Sequence, residues 1–361
     1  MSDKISTAKK KVYKKLISLV MVTLLLLSGC GSEKKESKDS EKQKELITVG
    51  FSQLGAESDW RVANTESIRN ILTRANGFEL MFDDAQQKQD KQILAIRNFI
   101  QQEVDFIVLA PVTETGWDTV LQEAKDAGIP VIVVDRMVDV EDTYLYTAWV
   151  GSDFKREGDL ACEWLNSFTA KKGINPEDLR IVDIQGTLGA TAQIGRTGGL
   201  ENAAAKYGWT ILAEVPADYT QAKGKEVMES LLKEHEDINV VYCENDNEAV
   251  GAIEAIEESG RKVGTDIANG EILIISFDAA HSGLNMMKEG KIALDVECNP
   301  LQGSYLKELI NKVKNGEDFQ KYTYVNESVF AVDDTVKSVQ IDDVEYDITI
   351  FSDEVIRSRE Y

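Results

Sequence analysis

The residues able to do chemistry fall just after short apolar runs. They are Glu57-Ser58-Asp59-Trp60-Arg61, Asp135-Arg136, Arg196, Asn245-Asp246 and Asp278, with Glu244, Glu297 and Asn299 in similar positions. Carboxylates accept hydrogen bonds, guanidinium groups donate them, and an Asn amide does both. Charged partners make the stronger bonds. Trp60 offers a flat apolar face. This mixture suits a ligand that presents many hydroxyls and no charge, such as a sugar. Taken singly, each residue has a structural use: Trp60 as packing, Asp135-Arg136 as an ion pair holding both groups ionised, Asp278 as a helix cap. Their joint placement after apolar runs in both halves of the chain favours a shared site.

Two carboxylates, for example Asp135 with Asp278 or Glu57, could instead hydrolyse a glycoside. A retaining enzyme needs its carboxyl groups about 5–5.5 Å apart and an inverting one about 6.5–9.5 Å. The neighbouring arginines argue against this, because they hold carboxyl pKa values down and spoil a general acid. Only His235 and His281 are present, so a His-based metal site or triad is unsupported. No Walker A loop, HExxH or EF-hand loop occurs, and Gly186-Thr187-Leu188-Gly189 is too weak to claim a phosphate. No cofactor is expected.

The elements that must position these residues alternate. β-rich runs at Leu46–Ser52, Phe78–Phe82, Val104–Ala110 and Ile129–Val134 are separated by amphipathic helical patterns, among them one from Trp60 with Ser58 or Asp59 as cap. A second set follows at Leu179–Gln185, Trp209–Val215, Val240–Cys243 and Leu273–Phe277, with a last strand near Ile292. The alternation predicts parallel α/β architecture. The segments Ile129–Asp135 and Ile272–Asp278 are alike: each is an apolar strand delivering an aspartate. Ligands of such sheets bind beyond the carboxyl ends of the strands, and two facing domains make a cleft.

Composition narrows the setting. Lys9, Lys10, Lys11, Lys14 and Lys15 precede an apolar run from Leu16 to Leu27, which Ser28, Gly29 and Cys30 close. The run is short for a membrane span, which needs about 20 residues. It reads as a cleaved export signal. Gly31–Glu45 is nearly all Lys, Glu, Ser, Asp and Gln and predicts a tether. Residues 1–29 hold six Lys and one Asp, leaving 34 basic against 62 acidic residues in the remainder. Such a surface repels nucleic acid. Cys162, Cys243 and Cys298 lie in apolar segments and read as core residues.

The chain resembles the sugar-binding components of ABC importers of the ribose/galactose class, and within them the furanose-binding branch. The matching stretches are ITVGFSQLGAESDWR, DAQQKQDKQI, APVTETGWDTVLQEAK, IPVIVVDR, KGKEVMES and Asn245-Asp246, scattered over roughly residues 47–316. Leu27-Ser28-Gly29-Cys30 is similar to a bacterial lipoprotein signal, which implies lipid on Cys30 and an extracytoplasmic protein anchored to the outer face of the cell membrane. The resemblance implies a type I periplasmic-binding-protein-like fold: two doubly wound parallel-sheet lobes with a ligand cleft between them. The expected organisation is a signal at 1–29, lipidated Cys and tether at 30–45, and an N-terminal lobe at 46–152 completed by about 281–300 crossing back. The C-terminal lobe takes 153–280, and a helix, strands and acidic extension take 301–361. Implied ligand contacts are Glu57, Ser58, Trp60, Arg61, Asp135, Arg136, Arg196, Asn245 and Asp278. The implied ligand is a monosaccharide, a galactofuranose-like furanose first, and the implied partner an ABC permease. A sensing lobe docked on a chemoreceptor or sensor kinase would share the fold. Nothing signals an oligomer, and a monomer is expected. Asp59, the run around Arg196 and the tail from Asp333 to Tyr361 depart from the pattern.

Overall fold

The computed structural model describes residues 46–361. The expected signal, Cys30 and the tether lie outside the described residues. No helix among the described residues is long and apolar enough to cross a membrane.

Ten strands build two parallel cores. The first uses β1 (Ile47–Gln53), β2 (Phe78–Asp84), β3 (Phe106–Leu109), β4 (Val131–Val134) and β5 (Ala148–Gly151). The second uses β6 (Arg180–Gln185), β7 (Thr210–Pro216), β8 (Val240–Cys243), β9 (Leu273–Asp278) and β10 (Leu294–Glu297). Each core runs in the order 2-1-3-4-5. The central strands are apolar along their length because helices cover both faces of a parallel sheet. Two apolar clusters flank each sheet, for example Phe51, Ile68 and Leu306 on one side of the first and Ile96, Trp117 and Leu121 on the other. Such doubly wound sheets place ligands where the strand order reverses, here beside β1 and β6.

The helices between strands are α1 (Asp59–Ile71), α2 (Gln89–Gln101), α3 (Asp118–Asp126), α4 (Phe154–Lys172), α5 (Thr191–Tyr207), α6 (Gln221–Glu234), α7 (Asp246–Glu258) and α8 (His281–Lys288). Then α9 (Gly303–Asn315) packs on α1, and β11 (Tyr322–Tyr324) pairs in parallel with β5. The chain returns to the second sheet with β12 (Val329–Ala331), antiparallel to β10. The hairpin β13 (Ser338–Ile341) and β14 (Val344–Asp347) packs on α4, β15 (Thr349–Ile350) pairs with β12, and α10 (Asp353–Ser358) packs on α8.

One expected boundary is corrected. Residues 281–297 belong to the second lobe as α8 and β10, and do not complete the first. The segment that crosses back is 303–324, carrying α9 and β11. The physical reason is that β10 continues the parallel order beside β9, burying Leu294 and Val296 in the second core. The chain therefore passes between the lobes at residues 151–154, 297–303 and 324–329. A single carboxylate ties these crossings together. Glu327 accepts hydrogen bonds from the Ser152 hydroxyl and, at 3.2 Å, from the Asn299 N–H.

Candidate functional site

The two lobes meet across the strand ends. The Glu114 N–H donates to the Gly189 carbonyl at 2.9 Å, the Met137 N–H to Thr191 Oγ1 at 3.0 Å, and the Asp59 N–H to Asn247 Oδ1 at 3.1 Å. Behind these contacts lies a cavity with about 290 Å³ of unfilled space. The nine residues named as implied ligand contacts line it, whereas Asp59, Glu244, Asp246, Glu297 and Asn299 do not.

In the first lobe, the Ser58 hydroxyl oxygen caps α1 by accepting the Arg61 N–H at 3.2 Å. This leaves the hydroxyl hydrogen to donate elsewhere. The cap fixes the first turn of α1 and sends Trp60 and Arg61 inward. Arg61 donates to Asp135 Oδ2 at 2.6 Å and to Glu57 Oε1 at 3.0 Å. Burial disfavours the Arg61 charge, but the two carboxylates outweigh it and raise its pKa. Its guanidinium stacks over the Trp60 ring, 4.6 Å from the centroid. Arg136 donates to the Val112 carbonyl at 2.6 Å and lies 3.8 Å from Glu57 Oε1. The sequence-adjacent pair Asp135-Arg136 is therefore not an ion pair with itself. Asp135 finds its partner on α1, while Arg136 hydrogen-bonds the loop after β3 and lies near Glu57.

The second lobe repeats the device. Arg196 lies on α5, where its Nε and Nη2 reach Glu157 Oε2 at 2.8 and 2.7 Å, and Nη2 lies 3.7 Å from Asp278 Oδ1. This needs α4 and α5 to touch. A Cβ on Gly199 would lie 2.7 Å from the Gly158 carbonyl carbon, so glycine is required there. Asn245 caps α7 through Oδ1, which accepts the Glu248 N–H at 2.8 Å, while its Nδ2 donates to the Tyr219 carbonyl at 3.2 Å. Arg61–Asp135 and Arg196–Asp278 are thus equivalent pairs, each joining the helix after a lobe's first strand to the end of its fourth. Both aspartates have left-handed backbone, φ 60° for Asp135 and 110° for Asp278. Such strain persists only where the surroundings enforce it. At Asp278 the enforcers are visible: the next two N–H groups donate to buried carboxylates, Ala279 to Asp295 at 3.0 Å and Ala280 to Asp246 at 2.8 Å.

One electrostatic expectation is reversed. Burial pushes the Asp278 carboxyl well above the usual carboxylate range, and Arg196 offsets this only in part. Burial also raises Glu157, again against the pull of Arg196. Desolvation outweighs the single nearby cation because Asp246, Glu157 and Asp135 add like charge around Asp278.

Phe154, Ala192, Tyr219 and Cys298 complete the lining and were missed from the sequence. With Trp60 and Ala190 they form a small apolar cluster between the lobes. Tyr219 follows β7, so the strand-end rule could have found it. Its ring occupies the space of a side chain at Gly186, whose Cβ would lie 1.8 Å from the ring. Phe154 follows β5, a strand too short and too mixed to be read from sequence. Cys298, like Cys162 and Cys243, is buried and unpaired, but it faces the cavity. Glu157, Cys298 and Glu327 place ligand-type atoms within 4.8 Å of one another, and the Arg196 guanidinium supplies the positive charge beside them. Asp59 is exposed at the rim rather than in the lining.

Three buried polar atoms of the lining lack an aligned hydrogen-bond partner: Glu57 Oε2, Tyr219 OH and Arg196 Nη2, whose 2.7 Å approach to Glu157 Oε2 is an ion-pair contact without hydrogen-bond alignment. Leaving such groups unmet costs about 1–3 kcal/mol each. An acceptor, a guanidinium donor and a phenol around one cavity fit a neutral polyhydroxylated ligand.

Comparison with known proteins agrees with this architecture. The model of the periplasmic binding protein domain family matches residues 49–318. The chain is 38% identical over 295 residues to the galactofuranose-binding protein YtfQ of Escherichia coli (strain K12), covering 81% of this chain and 89% of that one. A solved structure from Mycobacterium smegmatis in complex with β-D-fucofuranose is 44% identical with a TM-score of 0.75, covering 80% of this chain and 92% of that one. The binding protein of the arabinose ABC transporter from Shewanella sp. ANA-3, bound to α- and β-L-arabinofuranose, is 40% identical with a TM-score of 0.73, covering 80% and 93%. With two doubly wound lobes closed on a polar cavity and a family match across both of them, the chain belongs to the periplasmic binding protein family.

Proposed function

We propose that this protein captures a monosaccharide in its interlobe cavity, a furanose of the galactofuranose type in preference to a pyranose, and delivers it to an ABC permease. It is a binding protein and not an enzyme, as its relatives are. The observation that carries the ligand class is the pair of equivalent Arg–Asp units facing one cavity whose lining retains unmet donors and acceptors. The furanose preference is supported by relatives whose ligands are a fucofuranose and an arabinofuranose, at 44% and 40% identity. Lobe closure over the sugar gives a permease a conformation to recognise, and the sugar drives it by its differential affinity for the closed state. The extracytoplasmic setting follows the family, and the signal ending in Leu27-Ser28-Gly29-Cys30 supports a lipid anchor on Cys30. The protein acts as a monomer.

The ligand assignment is tested by Arg61→Ala and Asp278→Ala. Each is expected to cost about 2 kcal/mol or more in sugar affinity. Unchanged affinity in both variants, with the fold intact, would remove the assignment.

A further inference from the structure

The tail beyond Asp333 returns to the site from behind. Its last residues converge on Glu297, the strand β10 residue in register with Asp278 and the one before Cys298. Glu297 is 4% exposed. Its Oε1 accepts from Arg359 Nη1 and, at 2.6 Å, from the Tyr361 hydroxyl, while its Oε2 accepts the Ser328 N–H at 2.8 Å. Arg359 is the cation paired with Glu297 among the described residues, and its guanidinium lies over the Phe330 ring, 4.6 Å from the centroid. The Tyr361 carbonyl accepts the His281 N–H at 3.2 Å. The three successive N–H groups after Asp278 are therefore taken by Asp295, Asp246 and the tail.

We infer that Arg359 and Tyr361 are positioning residues of the sugar site. They hold β10 and the turn after β9 in the arrangement that keeps Asp278 in its left-handed conformation, aimed at the ligand. Neither residue lines the cavity. They act by neutralising a buried carboxylate whose surroundings are otherwise acidic and by closing the last free amide of the turn. Without Arg359, the Glu297 carboxylate would sit buried without its cation, and β10 and the turn beside it would relax to give it water. This inference rests on Asp278 being a ligand residue.

The test is a set of double-mutant cycles on the full chain, read by calorimetric titration with the tightest binder among D-galactose, L-arabinose, D-ribose and D-fructose. Tyr361→Phe removes one hydroxyl with little risk to folding; Arg359→Met removes the charge, and Arg359→Lys is the conservative rescue. Tyr361→Phe and Arg359→Met are each expected to weaken binding about tenfold, with Arg359→Lys recovering part of the loss. In an Asp278→Asn background the same changes are expected to cost little more, whereas in an Arg61→Lys background their full cost adds. Wild-type affinity in both tail variants, or an equal loss in the two backgrounds, would overturn the inference. A wild-type protein that binds none of the sugars would instead overturn the reading beneath it.

Discussion

The first lobe commits two buried arginines to the site, Arg61 and Arg136, and the second commits Arg196; Arg61 and Arg196 are more than hydrogen-bond donors. Arg61 balances Glu57 and Asp135, and Arg196 balances Glu157 and lies near Asp278. Removing one partner of a buried pair strands the other charge and costs about 3–5 kcal/mol, so a loss of binding in an arginine variant must be read beside its melting temperature. Gly186 gives a cleaner probe of the wall. Any side chain there meets the Tyr219 ring, while the Tyr219 backbone is held by Glu248, which accepts its N–H at 2.7 Å. Gly186→Ala is expected to push the ring into the cavity and weaken sugar binding by about 1–3 kcal/mol, with Arg61 and Asp278 untouched. Titration calorimetry checks this, and wild-type affinity would show that the ring does not shape the site.

At the scale of elements, the strand ends of the second lobe concentrate carboxylates. Burial raises Glu244 from an ordinary 4.5 to about 8, although Thr197 and Gly186 hydrogen-bond to its charged form. Burial likewise raises Asp246 from 3.8 to about 6. Below their ordinary pKa values, these groups are protonated in both folded and unfolded chains and cost nothing. As pH rises, the unfolded chain ionises first, so the folded state loses stability, and for Glu244 the loss continues up to about pH 8. The melting temperature is expected to fall steadily from pH 5 to pH 8.5, and Glu244→Gln to flatten that slope. A flat profile in the parent protein would contradict the assignment.

The elements were legible wherever an apolar run was long or a cap was clear. Strands β1–β4 and β6–β9, a cap of α1 at Ser58 or Asp59 and the aspartates after β4 and at the end of β9 follow from the sequence, whereas β5 does not. Pairing was not legible. Adjacency suggested Asp135 with Arg136, but strand geometry gives Asp135 to Arg61. The crossing back was misplaced for a related reason. Leu294–Glu297 is equally apolar beside either sheet, and only the register with β9 assigns it. The acidic tail carried no periodic signal that it would edge the second sheet.

Residues 46–361 form two copies of one architecture joined by three crossings, with the copies' Arg–Asp units around one cavity. Amide contacts across the mouth, such as Met137 to Thr191, join the two lobes there. For the anchor, Cys30→Ser is expected to abolish labelling by a radioactive fatty acid and release the protein from membranes; persistent labelling would reject Cys30 as the attachment point.

The most direct test of the central claim is a thermal-shift panel on the purified protein with galactose, arabinose, ribose, fructose and glucose. A ligand at 100 times its dissociation constant adds roughly 2.7 kcal/mol of stability, enough to raise the melting temperature by several degrees. The expected result is a shift with sugars that populate furanose rings and none with glucose, lost in Asp278→Ala. A shift with glucose alone, or no shift with any of the five, would contradict a furanose site in this cavity.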